Sequence, residues 1–147
     1  MARQRQFIDT NVYEESKKRI HHIFDTHDHV NVAFSGGKDS TAVLNLVREV
    51  SNERGIDTVD SHHRDEEFNP APILDNIKYY YDQDWINGVW YCVPRSSTMF
   101  VLGINKEVVK WDPSGEREWV RPKPDFAETL DNTKKIFGQD DFDKTVA

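Results

Sequence analysis

The sequence predicts an α/β protein with a mostly parallel, twisted sheet and flanking helices. Short apolar runs at 30–34 and 89–94 alternate with longer amphipathic segments, as strands and helices do in a parallel sheet. Two glycines, Gly36 and Gly37, directly follow the first apolar run and precede a helical pattern. The chain has 147 residues, which is a suitable length for one domain.

The first part of the chain predicts a helix, a strand and a second helix. Asn11 and Glu14 have the spacing of a capping box, so a helix is expected from Val12 to about residue 28. The run 30–34 is apolar and β-branched, which predicts a buried strand. Apolar residues at helical spacing in 39–50 predict the second helix.

The second part predicts a strand, a helix and a third strand, followed by a weaker pattern. Residues 56–63 predict a strand with few aliphatic side chains. Pro72 suits the first turn of a helix that extends to about residue 81. The run 89–94 predicts a strand that ends at its proline. Residues 111–115 predict a turn, and the prolines of 119–124 predict an extended segment.

Composition indicates a cytoplasmic protein without nucleic-acid or membrane partners. The formal net charge of −7 provides no overall basic surface for nucleic acid. The single cysteine, Cys92, excludes an internal disulfide framework and suits a reducing compartment. The polar N-terminus lacks the apolar run of a secretory signal, and no apolar stretch approaches the roughly 20 residues that span a bilayer.

We expect three regions along the chain. These are a flexible N-terminus (1–10), a single α/β domain (11–130) and an acidic, partly flexible C-terminal tail (131–147). The hydrophobic fraction of 37% is modest for a complete core. A homo-oligomer, or a partner subunit that completes the core, therefore stays open.

The glycine segment predicts a phosphate-binding loop. Glycines allow backbone N–H groups to approach a ligand closely, and the following helix directs its positive end to the same point. The expected binding residues are Ser35, Gly36, Gly37, Lys38, Asp39, Ser40 and Thr41. Lys38 and Asp39 are the candidate catalytic residues. Asp39 either holds Mg²⁺ between its carboxylate and the phosphates or caps the helix. The spacing fits neither a Walker A loop nor a dinucleotide fingerprint.

This loop resembles the PP-loop of the ATP-pyrophosphatase superfamily, and the resemblance implies an adenine nucleotide alpha-hydrolase-like (Rossmann-like) fold. It extends over about residues 28–126. Further segments are similar to a short, phage-type branch that resembles phosphoadenosine phosphosulfate (PAPS) reductases: 64–68, 91–94, 111–113 and 118–122. A phage-encoded protein would act in the host cytoplasm.

The resemblance implies ATP or PAPS as ligand, Mg²⁺ as a cofactor, and no zinc or iron–sulfur cluster. The implied activity is an ATP pyrophosphatase reaction that forms an adenylate, or sulfonucleotide chemistry in sulfur metabolism. Reductases of this family use a cysteine near the C-terminus, and this chain has none after Cys92. Two alternatives therefore stay open: a non-catalytic nucleotide-binding module, or a subunit whose partner supplies the nucleophile.

Other polar residues are candidates for the same site. Asp65 and Glu67 follow the second predicted strand, and ligands of open α/β sheets bind at the carboxyl ends of strands. They are expected to bind a metal or a ribose hydroxyl, or to lie in a solvated loop. Arg95, after the third strand, and Arg121, by the resemblance, are expected either to contact phosphate or to be surface charges.

Three further side chains have two interpretations each. Cys92 lies in an apolar strand, which favours a buried, inert thiol over a nucleophile. Trp111 and Trp119 either stack on a base or fill the core.

Overall fold

The computed structural model describes most of the chain. The described residues are 9–101, 104–114, 119–129 and 132, with the backbone alone for 96–101 and 104–107. The predicted flexible N-terminus falls outside them except for residues 9 and 10, and the predicted acidic tail falls outside them except for residue 132.

The described residues form helices and strands in alternation, followed by a hairpin and a short last strand. They are α1 (Val12–Thr26), β1 (Asn31–Ala33), α2 (Lys38–Glu53), β2 (Val59–Arg64), α3 (Ala71–Tyr81), β3 (Ile86–Cys92), β4 (Arg95–Val101), β5 (Ile104–Lys110) and β6 (Glu128–Thr129). No helix in this part of the chain has both the length and the apolar character that crossing a membrane requires.

The main sheet has four parallel strands in the order β1-β2-β3-β6, which confirms the predicted α/β class with a mostly parallel sheet and flanking helices. Along β2, Val59, Ser61 and His63 are buried, whereas the alternate residues are more exposed. The helices therefore cover one face of the sheet, where the core lies. The main core residues are Val32, Phe34, Leu44, Val47, Val59, Ile77, Ile86, Trp90 and Trp111.

The first helix begins where the sequence predicts. The side-chain oxygen of Asn11 accepts a hydrogen bond from the backbone N–H of Glu14 at 2.9 Å, as expected of an N-cap. The helix ends at Thr26, before the predicted residue 28. It packs on α2, and Lys17 of α1 forms ion pairs with Glu49 and Glu53 of α2.

The third helix and the third strand differ in how well the sequence predicts them. Pro72 lies in the first turn of α3, as predicted. However, β3 begins at Ile86, three residues before the predicted start at 89. The sequence did not predict these residues as strand because Asn87 and Gly88 are typical of turns. A Cβ at Gly88 would lie 2.8 Å from the ring of Tyr81. Glycine is therefore needed in the strand so that this ring can pack against its backbone.

The β4–β5 hairpin was not predicted from the sequence. Its strands pair antiparallel from Arg95↔Lys110 to Val101↔Ile104, and they form a sheet of their own. Strands of this kind do not need the continuous apolar run of a buried parallel strand. The segment therefore gives only a weak strand pattern in the sequence.

We expect Gly88→Ala to lower the free energy of unfolding by about 1–3 kcal/mol, because the added methyl group overlaps the Tyr81 ring. Urea unfolding of the wild type and the variant measures this difference. In a Tyr81→Ala background the same glycine substitution should cost less than half as much, because the clashing ring is absent. Equal costs in the two backgrounds would contradict the packing argument.

Candidate phosphate-binding site

The loop between β1 and α2 rests directly on α3. Gly36 has φ +75, a left-handed conformation that L side chains rarely adopt. A Cβ there would lie 2.7 Å from Cγ1 of Ile77 and 2.9 Å from the carbonyl oxygen of Ile73. Glycine is therefore required at position 36 for two reasons, namely its left-handed conformation and the close approach of α3.

Asn76 of α3 fixes the same loop through its side-chain amide. Its Nδ2 donates hydrogen bonds to the carbonyl oxygen of Gly36 at 2.9 Å and to Oγ1 of Thr41 at 3.1 Å. The amide thus connects the loop to the first turn of α2. Sequence reasoning missed this role, because Asn76 is an ordinary polar residue within a predicted helix.

The serines of the loop lie side by side at the start of α2. Oγ of Ser40 donates to the carbonyl oxygen of Gly37 at 3.0 Å and lies 2.9 Å from Oγ of Ser35, which therefore donates to it. The N-cap residue is Gly37, and no side-chain hydrogen bond caps the helix there. The first N–H groups of a helix have no partner within the helix, so an anion can bind at this end.

Lys38 and Asp39 extend from the first turn of α2 into solvent. Both side chains are 89% exposed, and Nζ of Lys38 lies 2.6 Å from Oδ1 of Asp39. An ion pair this exposed contributes little to stability, so both groups are free to rearrange around a ligand. Mg²⁺ is commonly held by one or two carboxylates together with phosphate oxygens, and Asp39 fits that role. Among the described residues no group of three His, Cys, Asp or Glu side chains converges on a metal position.

A cleft of about 470 Å³ opens at the carboxyl ends of β1, β2 and β3. Its walls include Ser35, Arg64, Glu66, Tyr91 and Arg95. This volume lies in the range of small-molecule sites, and ligands of open α/β sheets bind at this edge. The cleft therefore begins at the predicted loop and extends across two neighbouring strands.

His63 supports the wall of the cleft next to the loop. Its Nδ1 lies 2.9 Å from the carbonyl oxygen of Phe34, so this nitrogen carries the proton and donates it. Burial lowers the pKa of His63, which keeps the imidazole neutral. Its ring packs edge-on against Trp90, with 4.7 Å between ring centres. The histidine thus holds the residue that precedes the loop.

The carboxylate of Asp65 is buried and bonded within the protein. It accepts hydrogen bonds from Nε1 of Trp90 at 2.8 Å and from the backbone N–H of Glu67 at 2.9 Å. Arg121 forms an ion pair with it and also lies over the ring of Trp111. The interpretation as a solvated loop is therefore wrong for Asp65. Arg121 is engaged in this ion pair, and its phosphate contact stays a prediction.

Glu67 is also fully buried, although its backbone has the unusual φ of 60. Its carboxylate accepts from the backbone N–H of Trp111 at 2.7 Å and from that of Val120 at 3.0 Å. Because its side chain faces inward, we assign Glu67, like Asp65, to holding the segments around residues 111 and 120. Neither lines the cleft.

The two tryptophans belong to the same buried region. Trp111 is 1% exposed, and its Nε1 donates to the carbonyl oxygen of Asp65 at 2.8 Å. Trp119 packs edge-on against it, with 5.6 Å between ring centres. Core packing therefore holds for Trp111, and Trp119 is partly buried against the same core.

The structure brings Ser35 and Arg95 into one cleft and leaves Arg95 exposed. No ion pair joins Arg95 to another described residue. A phosphate contact by this residue stays a prediction. Arg64 and Glu66 also line the cleft, although the sequence indicated them only as part of a charged segment.

No protein-family model, no curated protein and no solved structure matches this chain. A functional proposal therefore depends on the loop, on the cleft and on the motif resemblance.

We expect Gly36→Ala to lower the free energy of unfolding by at least about 2 kcal/mol and to weaken pyrophosphate binding, because strain and overlap displace the loop. Gly37→Ala is the matched control. Gly37 has φ −79, and a Cβ there would meet only Oγ of Ser35, at 3.6 Å. Thermal unfolding and calorimetric titration compare the two variants. Equal effects would contradict the role of α3 in shaping the loop.

We expect Cys92 to be unreactive in the folded protein. It is 1% exposed, and burial and the nearby Asp65 carboxylate raise its pKa to about 12. A thiol reagent at neutral pH should therefore label the chain only after unfolding in urea. Because the pKa is raised in the folded protein, the free energy of unfolding decreases as the pH rises from about 9 towards 12. Rapid labelling of the native protein would show an accessible thiolate instead.

Proposed function

We propose that this protein binds an adenine nucleotide, with the phosphates held by the loop at residues 35–41. The observation that carries the proposal is the uncapped start of α2, which follows the left-handed Gly36 and the cleft-lining Ser35. Backbone N–H groups, serine hydroxyls and the Lys38 ammonium supply donors for phosphate oxygens.

The adenine nucleotide alpha-hydrolase-like fold is part of this proposal. A parallel sheet, a strand–loop–helix unit at its start and a cleft at its carboxyl edge are the features that support it. The six residues 35–40 match the PP-loop motif, which favours a phosphate-binding loop over an ordinary glycine turn.

In the catalytic form of the proposal, the loop holds the pyrophosphate end of ATP while an acceptor attacks the α-phosphorus. Mg²⁺ offsets phosphate charge when it is bound, and Asp39 is the residue that would hold it. Lys38 and the amides at the start of α2 stabilise the charge that develops on the departing pyrophosphate. With PAPS, the same donors would hold its phosphate–sulfate end.

A second candidate is a nucleotide-binding module without catalysis. The buried, protonated thiol of Cys92 favours it, because thiol-based reduction of a sulfonucleotide needs an accessible thiolate. Pyrophosphate release by the purified protein separates the two candidates, since a binding module would not turn over.

We expect Lys38→Ala to weaken binding of ATP or PAPS at least tenfold, which corresponds to about 1.4 kcal/mol. Asp39→Ala should abolish the enhancement of binding by Mg²⁺ and should strengthen binding without Mg²⁺, because the carboxylate repels phosphate. Calorimetric titrations with each nucleotide, with and without Mg²⁺, measure both effects.

Lys18→Ala is a matched control, because Lys18 is an exposed lysine on α1 that pairs with Glu15 away from the loop. Its affinity should equal that of the wild type. If neither loop variant changes the affinity for any nucleotide, the loop does not bind phosphate.

A further inference from the structure

A groove lies between α3 and the segment 121–128, away from the cleft. It consists of two adjoining crevices of about 380 and 430 Å³. Lys78 of α3, Trp90 of β3 and Phe126 line both crevices, so the groove continues past these three residues. None of the described residues that line it also lines the cleft. It is therefore a separate candidate binding site, and we refer to it as the α3 groove.

The walls of the α3 groove are ordered by contacts within the protein. Phe126 is 64% exposed, but its ring packs edge-on against Trp90, with 5.6 Å between ring centres. On one wall, Arg121 is fixed by its ion pair with the buried carboxylate described above. The backbone N–H of Ala127 donates to the carbonyl oxygen of Pro124 at 3.0 Å. Because the walls are already in place, they lose little conformational entropy when a partner binds.

One end of the α3 groove carries positive charge. Its crevice is lined by Lys78, Arg121 and Lys123 and by no carboxylate of a described residue. Arg121 is neutralised by Asp65, whereas no carboxylate in the described part of the chain pairs with either lysine. Nζ of Lys123 lies 4.6 Å from the ring centre of Trp119, and this contact leaves its charge without a counter-ion. An anion at this end therefore meets two uncompensated ammonium groups.

The groove is apolar along its length, and its other end is negative. The apolar lining is formed by Leu74, Tyr81, Trp90, Pro122, Pro124 and Phe126. Asp82 and Glu128 line only the second crevice, so the charge changes sign from one crevice to the other. Side chains on one face of an extended peptide lie about 7 Å apart, so a single segment can place two of them in adjoining crevices. The shape therefore favours an extended segment over a compact ligand.

We propose that the α3 groove binds an extended segment of a partner protein, with acidic side chains on one side of an aromatic residue and basic side chains on the other. The acidic side chains lie beside Lys78 and Lys123, and the basic ones beside Asp82 and Glu128. The aromatic ring packs on the exposed ring of Phe126. A segment that is acidic throughout is repelled at the second crevice, so the groove selects the distribution of charge. This inference goes beyond the proposed function and does not depend on it.

Fluorescence anisotropy with labelled peptides tests the groove in the full chain. One peptide carries aspartates, a phenylalanine and lysines in that order, and a second has the reverse order, so that both chain directions are covered. We expect saturable binding of one of them, and Phe126→Ala should weaken it at least about tenfold because the aromatic contact is lost. Tyr79→Ala is the matched control, because Tyr79 is a 62% exposed aromatic residue on α3 that lines neither crevice. If neither peptide binds, or if the two variants lose affinity equally, the proposal is overturned.

The charge assignment is tested with a peptide in which asparagines replace the aspartates. Lys78→Ala should weaken binding of the aspartate peptide at least about fivefold but leave binding of the asparagine peptide unchanged, because the lysine then has no carboxylate to contact. Lys18→Ala, an exposed lysine on α1, is the control and should bind both peptides as the wild type does. Thermal unfolding confirms that each variant is folded. An equal loss for the two peptides would overturn the charge assignment.

Other occupants of the groove give different results. The sequence of this chain at 140–143 also combines acidic residues with an aromatic one. If Phe142→Ala strengthens peptide binding, this segment competes for the groove, and the assignment to a partner is overturned. Self-association in sedimentation that is lost in Phe126→Ala assigns the groove to a second copy, with the same consequence.

The outcomes also separate this inference from the proposed function. Phe126→Ala should leave the affinity for ATP unchanged, because Phe126 does not line the cleft. If the peptide binds but no nucleotide does, the proposed function fails and the α3 groove stands. If nucleotides bind with dependence on Lys38 but no peptide binds, the loop assignment stands and this inference is overturned.

Discussion

The buried carboxylate of Asp65 organises the carboxyl edge of the sheet. A charge without solvent needs close partners, and here the indole of Trp90, the backbone of Glu67 and the guanidinium of Arg121 provide them. Breaking such a buried pair typically costs about 3–5 kcal/mol, because the remaining charge stays buried. Asp65 therefore fixes where the chain after β5 returns to the sheet.

In the acidic segment after β2, neighbouring side chains point in opposite directions. Asp65 and Glu67 face inward and bind the backbone and indole of Trp111, whereas Glu66 faces the cleft. Because Lys110 directly precedes Trp111, anchoring the tryptophan also places the lysine beside Glu66. Pairing within the hairpin then brings Arg95 to the same place. The placement of Lys110 and Arg95 at this edge of the sheet is thus a consequence of the buried contacts of Trp111.

The sequence predicted the features that depend on residues adjacent in the chain. The strand, the glycines and the start of α2 follow each other directly, so the order of residues alone indicates the loop. Asn76 contacts Gly36 from another helix, and Arg121 reaches Asp65 from far along the chain, so only the fold shows either contact. Composition also does not distinguish a buried carboxylate from a solvated one. For this reason Asp65 and Glu67 were predicted as ligands or as solvated loop residues, rather than as anchors.

The two ends of the cleft would contribute differently to binding. At the loop, the charges of Lys38 and Asp39 offset each other, so the attraction for an anion there comes mainly from oriented backbone dipoles, which act over a short range. At the other end, Glu66 offsets the charge of Arg64, whereas Arg95 is exposed, so its charge acts over longer distances and attracts an anion before it makes contact. A nucleotide repelled by the net negative charge of the chain would therefore be drawn in by Arg95 and oriented by the loop. Mg²⁺ at Asp39 would make the loop more positive, so the metal would strengthen the weaker of the two attractions.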